Sequence, residues 1–216
     1  ALLRQGRKFV AGQPTANDAL ALGDDILQRG RTLAEQATPD IADFLATVTP
    51  AQIERMAARL AEKNTDYAAE AKLAENESTQ RKARHKRLLD RAEYWFGDLS
   101  DAQQASLKQL IDAQPLDSQF WYDERLRRQR EWLELARQVQ RDRPPRDRVA
   151  QLLRDYATRF NMPRDPARLA QATALRRASA ELTAAIVALA TPPQRAHAAQ
   201  KLDDLIRDFT ELSQET

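Results

Sequence analysis

The sequence predicts an all-α fold, a multi-helix bundle of about seven to nine helices ending in an antiparallel helical hairpin. Three observations point there. Three phrases each open a helix: Thr49-Pro50-Ala51-Gln52, Ser100-Asp101-Ala102-Gln103 and Thr191-Pro192-Pro193-Gln194. Each sets a hydroxyl at the N-cap and a glutamine at N3, the two halves of a capping box, and two of them add Pro at N1. Behind the phrases apolar residues recur three and four apart, and no useful run alternates with the period of two that a strand needs. Five Gly in 216 residues, abundant Ala and 31% charged side chains complete a helical composition.

Taken in order, residues 1–11 read as the end of a helix stopped by Gly12 and Pro14. Thr15 caps a segment to about Ala37, with Leu20, Leu22, Ile26, Leu27 and Leu33 on its apolar side. Thr38-Pro39 starts a short helix carrying Ile41, Phe44 and Leu45. Thr49 starts a longer one whose stripe is Ile53, Met56, Leu60, Asn64 and Tyr67. Residues 75–78 form a bend, and a basic helix runs from about Thr79 to Phe96, ended by Gly97. Ser100 caps a helix to about Ala113, Asp117 caps a long one to about Asp142, and Pro144-Pro145 breaks it. A further helix reaches Phe160, a loop spans Asn161–Arg164, and Asp165-Pro166 caps the next helix.

The closing hairpin is the most legible unit. Ala172, Leu175, Ser179, Leu182, Ile186 and Leu189 make one seam, and Ala198, Leu202, Leu205, Phe209 and Leu212 make the other. Its arms, 166–190 and 192–213, are expected to pack against the Thr49 and Asp117 helices. The capping phrases lie 51 and 91 residues apart at Gln52, Gln103 and Gln194, which is no solenoid period. We expect one domain over 1–216, with 1–78 and 79–216 as candidate sub-lobes. The chain opens Ala1-Leu2-Leu3-Arg4 without Met and reads as truncated at its N-terminus.

Composition narrows the chemistry. No cysteine is present, which excludes disulfides, thiolate metal sites and cysteine nucleophiles within this stretch. No apolar run approaches the roughly 18–20 residues of a membrane span. His85 sits in Arg84-His85-Lys86, and His197 has no ligand-spaced companion, so no metal site is expected. Paired acids such as Asp24-Asp25, Asp123-Glu124 and Asp203-Asp204 diverge by about 100° on a helix and do not converge on one atom. Glycine-rich phosphate loops are absent. We therefore expect no enzyme, no catalytic residue and no cofactor.

Charge is uneven beneath a net +2. Residues 79–177 carry 22 basic and 14 acidic side chains, whereas each flanking stretch sums to −3. Arginine supplies 27 of the 34 basic residues, and guanidinium pairs planar oxyanions well. Trp95-Phe96, Phe120-Trp121-Tyr122, Trp132, Tyr156 and Phe160 crowd the same region. Arg81, Arg84, Arg87 and Arg91 are spaced three, three and four, and so share one face of their helix. Trp121, Arg125, Arg128 and Trp132 share a face of theirs. Opposed, the two faces would form a basic groove with aromatic walls. The alternative is that each arginine pairs with a local acid, such as Glu124 or Glu131, and that the aromatics are core.

The run from Phe44 to Asn64, with its VTPAQ and RMAARLAEKN strings, is similar to the LSPEQ…L…RLAERN segment of a family of Gram-negative lipoproteins of unknown function. The pattern extends through the basic stretch Arg81–Arg91, the string RAEYWFGDLSDAQ, the Trp121–Trp132 segment and the closing TPPQ helix. That resemblance implies a signal peptide with a lipidated Cys, then an aromatic and acidic helix, ahead of residue 1. A weaker likeness links VTPAQ, LSDAQ and ATPPQ to the LTxxQ periplasmic chaperones of the spheroplast-protein-Y class, which are small helical cradles. Together these imply a periplasmic domain, tethered at the outer membrane, that binds protein clients or envelope components in a chaperone-like or scaffold role. The rival is a cytoplasmic nucleic-acid-binding or regulatory module using the Arg-rich middle.

Overall fold

A computed structural model describes residues 2–160, 163, 165–212 and 214. Those residues form nine α-helices and no strand: α1 (Leu2–Ala11), α2 (Ala16–Thr47), α3 (Pro50–Glu70), α4 (Glu77–Phe96), α5 (Asp101–Asp112), α6 (Ser118–Asp142), α7 (Arg146–Arg159), α8 (Pro166–Leu189) and α9 (Pro192–Leu212). The all-α multi-helix bundle read from the sequence is the observed fold class.

All three capping phrases do what their chemistry dictates. The Thr49 hydroxyl accepts from Gln52 N at 3.3 Å while Gln52 Oε1 accepts from Thr49 N at 2.8 Å. Ser100 and Gln103 repeat this at 3.3 and 3.0 Å, and Thr191 and Gln194 at 3.4 and 2.8 Å. Two otherwise unpaired amides are satisfied at each start. Gly97 ends α4 in the left-handed region, at φ 78°.

Three expectations are corrected. Thr38-Pro39 does not start a helix, because α2 runs straight through it. The buried Thr38 hydroxyl donates backward to Ala34 O at 2.8 Å instead of accepting forward as a cap. α4 begins at Glu77 rather than Thr79, since Asn76 Oδ1 accepts from Thr79 N at 3.0 Å and so acts as the cap. Asp117 precedes α6 without a side-chain capping bond; its carboxylate accepts instead from Trp121 Nε1 at 3.2 Å. Of the loop expected over Asn161–Arg164, only Pro163 lies among the described residues, and it is buried.

The chain divides into two compact units that are not sequential halves. Unit 1 comprises residues 1–27, 81–115 and 173–216, and unit 2 comprises 28–80 and 116–172. Helices α2, α4 and α8 each contribute residues to both.

Unit 1 holds two apolar clusters. Ala92, Leu107, Ile111 and Leu182 form one, with Leu88, Leu89 and Leu99 against it. Phe96, Val187, Ala190 and Ala198 form the other, joined by Phe9, Val10 and Trp95. The closing hairpin, turning at Ala190-Thr191, thus finds these core partners in α1, α4 and α5, while of the expected partners α6 is met at the start of α8, where Arg168 pairs with Glu124 at 2.9 Å. α1 and α9 run antiparallel: Phe9 and Val10 join the Ala198 cluster, while Arg7 pairs with Asp203 at 2.6 Å. The predicted α9 seam is only partly covered, with Leu202 buried but Phe209 and Leu212 exposed.

Unit 2 is built on one larger cluster. Ala42 and Leu45 from α2, Val48, Ile53 from α3, Leu135, Ala136 and Val139 from α6, and Val149 and Leu153 from α7 make its core. Leu45 and Ile53 are almost completely buried, each contributing about 1.5–3 kcal/mol by leaving water.

Candidate functional site

The eight residues singled out in the sequence fall on two helices, Arg81, Arg84, Arg87 and Arg91 on α4 within unit 1, and Trp121, Arg125, Arg128 and Trp132 on α6 within unit 2.

On α4 the shared arginine face rolls from core to solvent. Arg84 is buried and donates to Pro115 O at 2.5 Å; Arg81 is half-buried and donates to Asp112 O and Gln114 O at 3.4 and 3.3 Å. Both guanidiniums thus reach carbonyls at or just past the end of α5, where a cation is favoured by the helix C-terminus. Arg87 and Arg91 are exposed, along with Lys82 and Lys86. His85 keeps a buried Nε2 without a hydrogen bond.

Unit 1 also ties two of its capping boxes together. Gln103 Nε2 donates to Gln194 Oε1 at 2.8 Å and to Leu189 O at 2.9 Å. Gln194 Nε2 returns a bond to Gln103 Oε1 at 3.3 Å and donates to Asp98 O at 2.8 Å. Each glutamine thus caps its own helix and grips the other helix's cap. A cleft of about 400 Å³ lies between α1 and the start of α2, lined by Lys8, Phe9, Pro14 and Leu22, with Asp18 and Asp25 on its rim.

On α6 the four predicted residues do four different things. Trp121 bonds Asp117 and meets Phe120 edge-on at 5.0 Å. Arg125 Nε donates to Asn64 Oδ1 at 2.8 Å and lies 5.7 Å over the Tyr67 ring, itself stacked on Tyr122. Trp132 Nε1 donates to Met56 S at 3.3 Å, and its ring lies 5.6 Å from Tyr156. Arg128 stacks 5.0 Å over the Phe160 ring. Tyr156 meets Phe160 edge-on at 5.8 Å, and its hydroxyl donates to Arg128 O at 3.1 Å.

Beside this aromatic line sits a charged network that the sequence named only in part. Glu124, 2% exposed, accepts from Arg127 Nε at 2.8 Å and from Arg168 Nε at 2.9 Å. Arg127 also donates to Glu131 Oε1 at 2.9 Å and to Phe160 O at 3.2 Å. Burial alone would raise the Glu124 carboxyl, but the bonds from Arg127 and Arg168 outweigh it and hold the group below the usual range. Burial raises the Tyr156 phenol. Asn64 is buried, donating to Gln129 Oε1 at 2.6 Å and accepting from Gln129 Nε2 at 3.1 Å. A polar residue on the apolar stripe of α3 was the available signal for that contact.

One further surface stands out. α2 buries Thr38, Ala42 and Leu45, yet leaves Leu33 and Phe44 66% and 62% exposed, with Ile26 exposed seven residues earlier. Leu33 and Ile26 had been expected on the inward side. Because the helix is unbroken at Pro39, the inward line through Thr38, Ala42 and Leu45 fixes its phase. At about 100° per residue, Leu33 and Phe44 then lie well over 90° away from that line. Among the described residues no group of His, Cys, Asp or Glu could hold a metal ion, and no helix is long and apolar enough to cross a membrane.

Compared with known proteins, residues 2–161 match a family of unknown function, DUF6279. No curated protein and no solved structure matches the chain.

Proposed function

The chain belongs to the DUF6279 family of unknown function, and from that premise we propose that it is a non-enzymatic helical binding domain for protein clients or envelope components. The observation that carries this reading is the second apolar face of α2, where Leu33 and Phe44 are three turns apart and both more than half exposed. Large apolar side chains repeated on one face of a long helix suit an apolar segment of another polypeptide. On this reading the domain works in the periplasm, tethered at the outer membrane through a lipidated segment ahead of residue 1.

The test is suppression of aggregation of a reduced, unfolding model protein, followed by light scattering. The intact chain suppresses scattering at near-stoichiometric ratios, and the Leu33→Ser/Phe44→Ser double variant, still helical by circular dichroism, does not. Equal suppression by both, or none by either, would overturn the reading. The rival nucleic-acid module retains Lys82, Lys86, Arg87 and Arg91 as exposed cations, but Arg81 and Arg84 are committed to backbone carbonyls. Retention on DNA or RNA that falls steeply with salt would favour it.

A further inference from the structure

We propose that Arg128 is the anchor of an oxyanion-binding site in unit 2, taking one carboxylate or phosphate group against the aromatic line of Tyr156 and Phe160. Arg128 lies four residues after Glu124 and seven before Leu135, on the line of α6 that faces the interior of its unit, and both of those residues are buried. A guanidinium there loses part of its hydration, and no described residue accepts a hydrogen bond from it in exchange. Arg128 is half-buried, yet its guanidinium makes no hydrogen bond or ion pair with any described residue.

Three neighbouring arginines are engaged. Arg127 is held by Glu124, Glu131 and Phe160 O, Arg168 by Glu124, and Arg125 by Asn64. A partly desolvated cation without an acceptor is the exception that calls for an absent water or ion. Its guanidinium carbon lies over the Phe160 ring, 5.0 Å from the centroid. A guanidinium offers a planar fork of N–H donors that matches two oxygens of a carboxylate or phosphate.

Local charge agrees. Arg125, Arg127, Arg128 and Arg168 stand against Asp123, Glu124 and Glu131, so the cluster carries one more positive charge than negative ones. Burial, then the adjacent Arg127 charge, holds the Arg128 guanidinium below its usual value, and the negative charge of a bound anion opposes that shift. The site uses neither Leu33 nor Phe44, so loss of client binding and loss of anion binding are read by different variants.

The experiment follows the arginine Nε–Hε signals of the full chain by NMR during titration with sodium phosphate or sodium acetate, at constant ionic strength set with chloride. The Arg128 signal is expected to shift saturably with at least one anion, and the preferred one separates a tetrahedral from a planar ligand. The exposed Arg130 serves as the control and should drift only weakly. Arg128→Gln should weaken binding by about tenfold or more, the loss expected for charge-assisted hydrogen bonds. Arg128→Lys, which keeps the charge and much of the packing, should retain part of it. The proposal is overturned if Arg128 responds to neither anion, if Arg130 responds equally, or if Arg128→Gln, shown to be folded, binds as wild type does.

Discussion

Replacing Glu124 by Ala tests the buried network of unit 2 at its centre. The carboxylate is 2% exposed and accepts charge-assisted bonds from Arg127 at 2.8 Å and Arg168 at 2.9 Å. Bonds to charged groups contribute about 1.5–3 kcal/mol each, but the two are not equal here. The Arg168 side chain is 38% exposed and rehydrates when released, so its share is discounted for solvent screening. Arg127, at 17%, stays shielded but keeps Glu131 and Phe160 O as acceptors. The expected loss is therefore about 3 kcal/mol, the low end for breaking a buried ion pair. Glu124→Gln preserves shape and one acceptor oxygen but turns an amide donor toward a guanidinium, costing about 2 kcal/mol. Urea unfolding followed by the fluorescence of Trp121 and Trp132, both in unit 2, measures these values. The folded pKa is depressed, so the contribution is fully present above the unfolded value of about 4.3 and is lost as pH falls through the folded value. The gap between wild type and Glu124→Gln should thus be flat near neutral pH and close in acid. A loss below about 0.5 kcal/mol for Glu124→Ala at pH 7, the range of an inert surface change, would refute the reasoning.

Three further outcomes follow from the same geometry. In unit 1, Gln103→Ala and Gln194→Ala each cost about 1–2 kcal/mol as lost cap partners, and a double-mutant cycle between them gives a coupling of at least about 0.5 kcal/mol, since the side chains bond each other. Gly97→Ala costs about 1 kcal/mol from backbone strain alone, because φ is 78° and a Cβ there meets nothing within 4 Å; a thermal melt reads it. Asn64→Ala leaves Gln129 and Arg125 without their partner and costs about 1–3 kcal/mol in urea unfolding.

Local signals in the sequence carried the helix starts, because a capping box is complete within four residues and needs no tertiary partner. The three Thr/Ser–Gln phrases and Gly97 are of that kind. Pro39 misled for the same reason: its phrase has the form of a start, but the Thr38 hydroxyl found a backbone carbonyl one turn back. The phase of α2 depended on that single decision, and with it the placement of Leu33. The roles of Arg81 and Arg84 were hidden because the carbonyls they reach lie 31–33 residues away, in backbone that carries no side-chain signature. Glu124 was legible as a partner for a neighbouring arginine, whereas Arg168, 44 residues on, was not.

The central claim, that the outer face of α2 receives apolar polypeptide, is tested most directly by isothermal titration of the chain with a permanently unfolded, reduced protein at several temperatures. The account predicts saturable binding with a negative heat-capacity change, the mark of apolar burial. It also predicts an affinity loss of about tenfold or more in the Leu33→Ser/Phe44→Ser variant, since each side chain contributes roughly 1.5–3 kcal/mol when fully covered. Wild-type affinity in that variant, or binding without a heat-capacity change, would contradict it.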